Sequence, residues 1–136
     1  MGVRAVRLAV MVFCLACVAA SGTVVAGDGG VDADAEREIA GLIEAIGASG
    51  CEFQRNGRWH QAEEARAHLQ RKLDWAHQRG LDGSAETFIE RAASRSSVSG
   101  RAYRVRCPGG HEGPAADWFT AELRRQRAAD SSRTPR

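Results

Sequence analysis

Apolar positions recur along this chain at two spacings. Ile39, Leu42, Ile43 and Ile46 follow the helical period, and the "GASG" segment that comes next ends a helix there. Asp32 or Asp34 suits its cap, with acids in the first turn. "CEFQR" then alternates, placing Cys51, Phe53 and Arg55 on one face of a strand and Glu52 and Gln54 on the other. Asn56-Gly57 is a tight-turn pair, and "RWH" reads as a short strand after it. From about Gln61 to Arg79 the helical period returns. Ala62, Ala65, Leu69, Leu73 and Ala76 form its buried stripe, and His68, Lys72 and Trp75 lie along one border. Ala67, Gln70, Arg71, Asp74 and Gln78 face water, and Gly80 ends the helix. Ser84 caps a shorter helix carrying Phe88, Ile89, Ala92 and Ala93. "RAYRVRC" alternates again, with Tyr103, Val105 and Cys107 on one face and Arg104 and Arg106 on the other. "PGGHEGP" reads as a loop whose Pro114 opens a last helix, in which Trp118, Phe119 and Leu123 pack inward. The pattern predicts an α+β fold, four helices around a small antiparallel sheet.

The N-terminus has a different character. "MGVRAVR" is short and basic, "LAVMVFCLACVAA" is apolar but short for a membrane span, and "VVA" sets small residues before Gly27. This is the pattern of a secretory signal peptide over residues 1–26, cleaved after Ala26. An uncleaved anchor is disfavoured by the length of the run. Lipidation at Cys17 is a third reading, weakened because Cys14 stands where a lipobox wants Leu. The expected organisation is then a flexible lead over 27–36, a single domain over 37–127 and a disordered tail over 128–136. The chain is expected to be exported, periplasmic or secreted, with no stable membrane anchor.

Export changes how the four cysteines sort. Cys14 and Cys17 leave with the leader. Cys51 and Cys107 remain, both in strand-like segments, and two cysteines in an oxidising compartment read as one disulfide. Free catalytic or metal-binding thiols are the alternative, without a CxxC pair to support it.

Charge adds one further point. Arg4 and Arg7 leave with the leader, so 19 basic residues become 17 against 17 acidic ones. The acids crowd the first helix and the bases the C-terminal part, from Arg91 onward. That basic part suits an anionic partner, although the simpler reading is that it complements the acidic helix within the same molecule. No aromatic-interleaved basic patch points to nucleic acid, and none is expected as a partner.

Five segments in order, "GCEFQRNG", "EARAHLQRKL", "FIERAASRSSVSG", "YRVRC" and "ADWFTAELRRQR", resemble an exported bacterial group, domain-of-unknown-function family 5329. The resemblance spans about Ile39 to Arg127. Gln61 departs from it, because a better capping residue such as Ser is expected there. The resemblance implies an exported single domain and brings no activity, cofactor or catalytic residue.

The candidate chemistry follows. Ser96, Ser97 and Ser99 precede Gly100 without a GxSxG or SxxK context, so their hydroxyls are expected to satisfy the backbone where a helix ends. His60, Glu64 and His68 fall at i, i+4 and i+8 and would hold zinc only if the helix began at His60. His68 reads more simply as a half-buried edge residue with a hydrogen-bond partner. Trp75 and Trp118 sit at core spacing, and Trp59 is freer. Glu63 and Glu64 suit the start of a helix. No catalytic set, metal or cofactor is expected.

If the two cysteine strands run antiparallel with Cys51 opposite Cys107, Phe53 falls opposite Val105 and Arg55 opposite Tyr103. The "RNG" turn then meets the "SSVSG" loop. Arg55, Asn56, Trp59, Ser97, Ser99 and Tyr103 are the candidate ligand patch, suited to a small polar or anionic ligand or to an envelope protein. Asn56→Ala and Ser99→Ala are expected to weaken capture with little effect on the thermal midpoint. The expectation is a disulfide-stapled, non-enzymatic binding or interaction module; the alternative is a small hydrolase using a serine or a His–Glu pair.

Overall fold

The computed structural model describes residues 29–110 and 112–133, with side chains from residue 33 onward. Its elements are α1 (Gly29–Ala48), β1 (Glu52–Arg55), β2 (Arg58–Gln61), α2 (Ala62–His77), α3 (Ala85–Phe88), β3 (Arg104–Arg106), β4 (Glu112–Pro114) and α4 (Ala115–Arg133). The strands form one antiparallel sheet in the order β2-β1-β3-β4. This is the predicted α+β class.

The helical stripes supply the core. Ile39, Leu42, Ile43 and Ile46 of α1 are all buried, and they meet Leu69 and Leu73 of α2 and Phe119 and Leu123 of α4. Phe53 and Val105 bring the inner face of the sheet into the same cluster. Trp118 stands edge-on to Phe119, with ring centroids 5.0 Å apart, and edge-on to Phe53 at 5.5 Å. Gly41 faces α4, where a Cβ would lie 2.7 Å from Gln126 Oε1, the movable end of that side chain.

The sheet follows the predicted register. Glu52 pairs with Arg106, Phe53 with Val105 and Gln54 with Arg104. The same register carried one step back sets Cys51 across from Cys107, and the two are joined by a disulfide. Asn56 (φ 51°) and Gly57 (φ 83°) both take left-handed backbone, as the two-residue hairpin turn requires.

Several expectations are corrected. Residues 29–36 are helical rather than a flexible lead, and 128–133 are helical rather than a disordered tail. Tertiary partners hold the early turns of α1: Glu36 bonds His77 at 3.0 Å, and Glu38 accepts from Arg127 at 2.7 Å. At the other end Ser131 Oγ donates to the Arg127 carbonyl at 2.8 Å. Part of "PGGHEGP" is the edge strand β4, where Pro114, which has no N–H to give, is tolerated. The helix after Ser84 widens into a π-helical turn over Ile89–Ala93, and Ser94 Oγ closes it by donating to the Ile89 carbonyl at 2.6 Å. Trp75, expected to pack in the core, is 51% exposed with the Arg79 guanidinium 4.0 Å above its ring. The predicted leader lies outside the described residues. Among the described residues, no helix is long and apolar enough to cross a membrane.

Candidate functional site

The loop after the π turn is built by its serines. Ser96 is buried, and its Oγ accepts from the backbone N–H groups of Val98 (3.3 Å) and Ser99 (3.2 Å). Gly100 N donates to the Ser96 carbonyl at 2.9 Å, with Gly100 at φ 70°. The Ser96 hydroxyl and, through Arg101 N at 3.4 Å, the Ser99 hydroxyl satisfy backbone groups, as the sequence indicates for these two. The loop meets the β1–β2 turn, where Ser99 Oγ donates to Asn56 Oδ1 at 2.6 Å. Ser99→Ala removes this exposed bond and is expected to change stability by no more than about 0.5 kcal/mol in urea unfolding. Asn56→Ala also places alanine in left-handed backbone, which adds roughly 1–2 kcal/mol. The two variants are therefore expected to differ in stability, with Asn56→Ala the larger loss.

Behind that junction lies a cluster of bases. Arg55, at the end of β1, donates from Nη1 to His68 Nδ1 at 2.7 Å. Lys72, one helical turn beyond His68 on α2, donates from Nζ to the Ala92 carbonyl at 2.7 Å and lies 3.3 Å from Tyr103 Oη. The His68 ring stands edge-on to Tyr103, with centroids 6.5 Å apart. Burial, then the nearby Arg55, Lys72, Arg71 and His60, push the His68 pKa down to about 4. The ring is therefore neutral at pH 7 and accepts a hydrogen bond from the arginine N–H. Burial and then Arg55 lower the Lys72 pKa, and burial raises that of Tyr103. Among the described residues, no carboxylate pairs with Arg55, Arg71, Lys72 or Arg91.

Two concavities adjoin this cluster, and His68 and Arg71 line both. The smaller holds about 50 Å³ and includes Arg55, His60, Glu64 and Tyr103 in its wall. The larger is a groove of about 460 Å³ between α2 and the α3 segment. Its floor is apolar, with Ile39, Leu73, Ala76, Phe88 and Ala92, and the half-exposed Trp75 and Leu81 stand at its mouth. Arg71, Lys72 and Arg91 line it together with Ser97, and Glu36, His77 and Asp82 also line it.

A family model for a family of unknown function, DUF5329, matches residues 33–127, the span from α1 to α4 that builds this groove. The chain belongs to this family. It is also similar to the "Uncharacterized protein YfeK" of Salmonella typhimurium, 38% identical over 74 residues, which is 54% of this chain and 60% of that protein. The alignment thus spans less than two thirds of that relative's length. No solved structure matches the chain.

Of the six residues proposed as a patch, the fold of this chain brings Arg55 and Tyr103 to the basic cluster, places Ser97 in the groove wall, and pairs Asn56 with Ser99. Trp59 is elsewhere. It pairs with Gln54 across the hairpin and so lies on the outer face of the sheet, where the Arg106 guanidinium stacks 4.2 Å over its ring. His60, paired with the buried Phe53, faces inward and bonds Glu64 at 2.6 Å, while His68 turns to Arg55. Glu63 pairs with Arg66 rather than serving the helix terminus alone. Gln61 makes no side-chain cap and instead donates from Nε2 to Glu52 at 3.1 Å. Arg104 and Arg106 pair with Glu112 and Glu52, and Arg127 with Glu38 and Glu86, so much of the basic C-terminal part is matched inside the molecule. Arg71, Lys72 and Arg91 were missed as site residues. The signal was the apolar border of α2, where Trp75 continues the stripe with nothing in the local sequence to cover it.

Proposed function

We propose that the protein is an exported, disulfide-stapled binding module that captures an amphiphilic organic anion, such as an alkyl carboxylate or alkyl phosphate, in the groove along α2. The observation that carries this reading is that Arg71, Lys72 and Arg91 line an apolar groove without a carboxylate partner among the described residues, with Arg55 bonded to His68 in its wall. Bases left unneutralised beside an apolar floor suit a ligand with an anionic head and a hydrocarbon tail. The volume of about 460 Å³ falls within the range of roughly 300–1,000 Å³ in which small molecules bind. Export rests on the N-terminal sequence pattern, and the Cys51–Cys107 bond fits an oxidising compartment.

Trp75 at the mouth supplies the readout. Decanoate is expected to change tryptophan fluorescence saturably, and decanol, which lacks the charge, to bind far more weakly. Lys72→Met and Arg71→Gln are each expected to weaken decanoate about tenfold, the loss of a charge-assisted bond. Trp59→Phe is expected to leave it unchanged. Equal binding of decanol and decanoate, or undiminished affinity in both basic-residue variants, would defeat the proposal.

A hydrolase working through a His–Glu pair is the second reading. It draws on two bonded pairs, His60–Glu64 at 2.6 Å and His77–Glu36 at 3.0 Å, each in the wall of a concavity. The cavity beside His60 holds about 50 Å³, room for water-sized molecules but small for a substrate. Among the described residues no serine hydroxyl is bonded to a histidine, which leaves the serine version without geometry. Turnover of a panel of nitrophenyl esters that vanishes in His60→Asn or His77→Asn would favour this reading over simple capture.

A further inference from the structure

We propose that Glu36, His77 and Asp82 form a binding site for one divalent transition-metal ion of the zinc type. The three donors come from separate places: Glu36 from α1, His77 from the last position of α2, and Asp82 from the segment that follows. One ligand atom from each lies within 4.8 Å of the others, and Glu36 Oε1 is 3.0 Å from His77 Nε2. Zinc bonds of about 2.0–2.2 Å at tetrahedral angles set donors roughly 3.3 Å apart, so a small carboxylate rotation closes the set. The sequence expectation was no metal, and its only candidate set, His60, Glu64 and His68, is not brought together.

The backbone holds the donors in place. Gly80, at φ 61°, reverses the chain at the end of α2, with Leu81 N donating to the Ala76 carbonyl and Gly80 N to the His77 carbonyl, each at 3.0 Å. This is a Schellman-type stop, and it returns Asp82 beside the helix end that carries His77. Charge also favours a cation here. Among the described residues, neither Glu36 nor Asp82 pairs with a lysine or arginine, whereas Glu38 and Glu86, nearby on α1 and α3, share Arg127. Two carboxylates and an imidazole form a borderline donor set that suits zinc and its first-row neighbours better than calcium or magnesium, which favour oxygen alone. Three protein ligands leave a coordination position open, and all three residues line the groove. His77 lies about 7.5 Å along α2 from Lys72. The groove thus has a basic end and a metal end, and the metal site stands whether or not the basic end takes an anion.

The test is competition for Zn²⁺ between the metal-free protein and a chelating dye at neutral pH, with no other ligand present. The expected result is saturable binding of one equivalent. His77→Ala and Asp82→Asn each weaken it at least about tenfold, the scale set by perturbed ligand shells. His60→Ala leaves it unchanged. Asp82→Asn changes only an exposed loop side chain, so a metal-free melt matching the wild type shows that its loss is not unfolding. Failure of the wild-type protein to take up Zn²⁺ saturably overturns the proposal. So does unchanged affinity in both His77→Ala and Asp82→Asn, or an equal loss in His60→Ala.

Discussion

Replacing Cys51 and Cys107 together by alanine is expected to lower the free energy of unfolding by about 4 kcal/mol. The bond joins residues 56 apart in sequence, and a closed loop of that length removes entropy of this size from the unfolded chain. Small domains typically have only about 5–15 kcal/mol to lose. Guanidinium unfolding of the oxidised protein beside the double variant measures the difference, and thiol reduction of the wild type should give the same curve as the variant. A change under about 1 kcal/mol would mean that the core of α1, α2 and α4 suffices without the bond. The consequence reaches the candidate site. The bond clamps β1 and β3 at one end, and Arg55 and Tyr103 project from the other. Loosening the clamp frees the register that brings Arg55 against His68.

That register was readable in advance because two local signals and one covalent constraint agree. Alternation gives each cysteine strand a face, and opposing Cys51 to Cys107 then sets Phe53 against Val105. The stripe of α1 and the Asn56-Gly57 turn were equally plain, since each depends on residues close in sequence. Misplacing Trp59 was avoidable. A two-residue turn pairs Arg55 with Arg58, so Gln54 pairs with Trp59 and the ring must share the outer face of Gln54. The other differences depend on distant partners. Glu36 and Glu38 extend α1 by reaching His77 and Arg127, contacts that no periodicity encodes. β4 sits in a glycine-rich run and exists because β3 offers it an edge. Trp75 follows the apolar stripe, yet α3 packs so that a groove remains beside it. The basic cluster was half legible for a similar reason. Arg55 and Tyr103 follow from the sheet, but Arg71 reads as a solvated helix residue until the opposite wall is known.

His68 joins stability to that cluster, and it predicts a pH effect that a single variant isolates. Its folded-state pKa of about 4 lies below the ordinary value of 6.5, because burial and the surrounding bases oppose a charged ring. The unfolded chain therefore takes up a proton first as the medium is acidified. The contribution of neutral His68 is fully present above about pH 6.5 and is lost as pH falls from there toward about 4. The whole difference corresponds to about 3 kcal/mol, and partial exposure of the ring reduces it to about 2. His68→Gln keeps an acceptor for Arg55 but does not titrate. Between pH 7 and 4, urea unfolding should show the wild type losing about 2 kcal/mol more than His68→Gln, while carboxylates common to both cancel. Parallel loss in the two proteins would remove His68 as the cause. An anion bound at Arg71 and Lys72 reverses the local argument, because it favours the imidazolium that the bases oppose. The bound protein then takes up a proton at higher pH than the free one, and decanoate affinity should rise on acidification until the ligand itself is protonated. In His68→Gln that rise should be absent. A wild-type affinity that is flat or falls on acidification, with decanoate still ionised, would place the ligand away from His68.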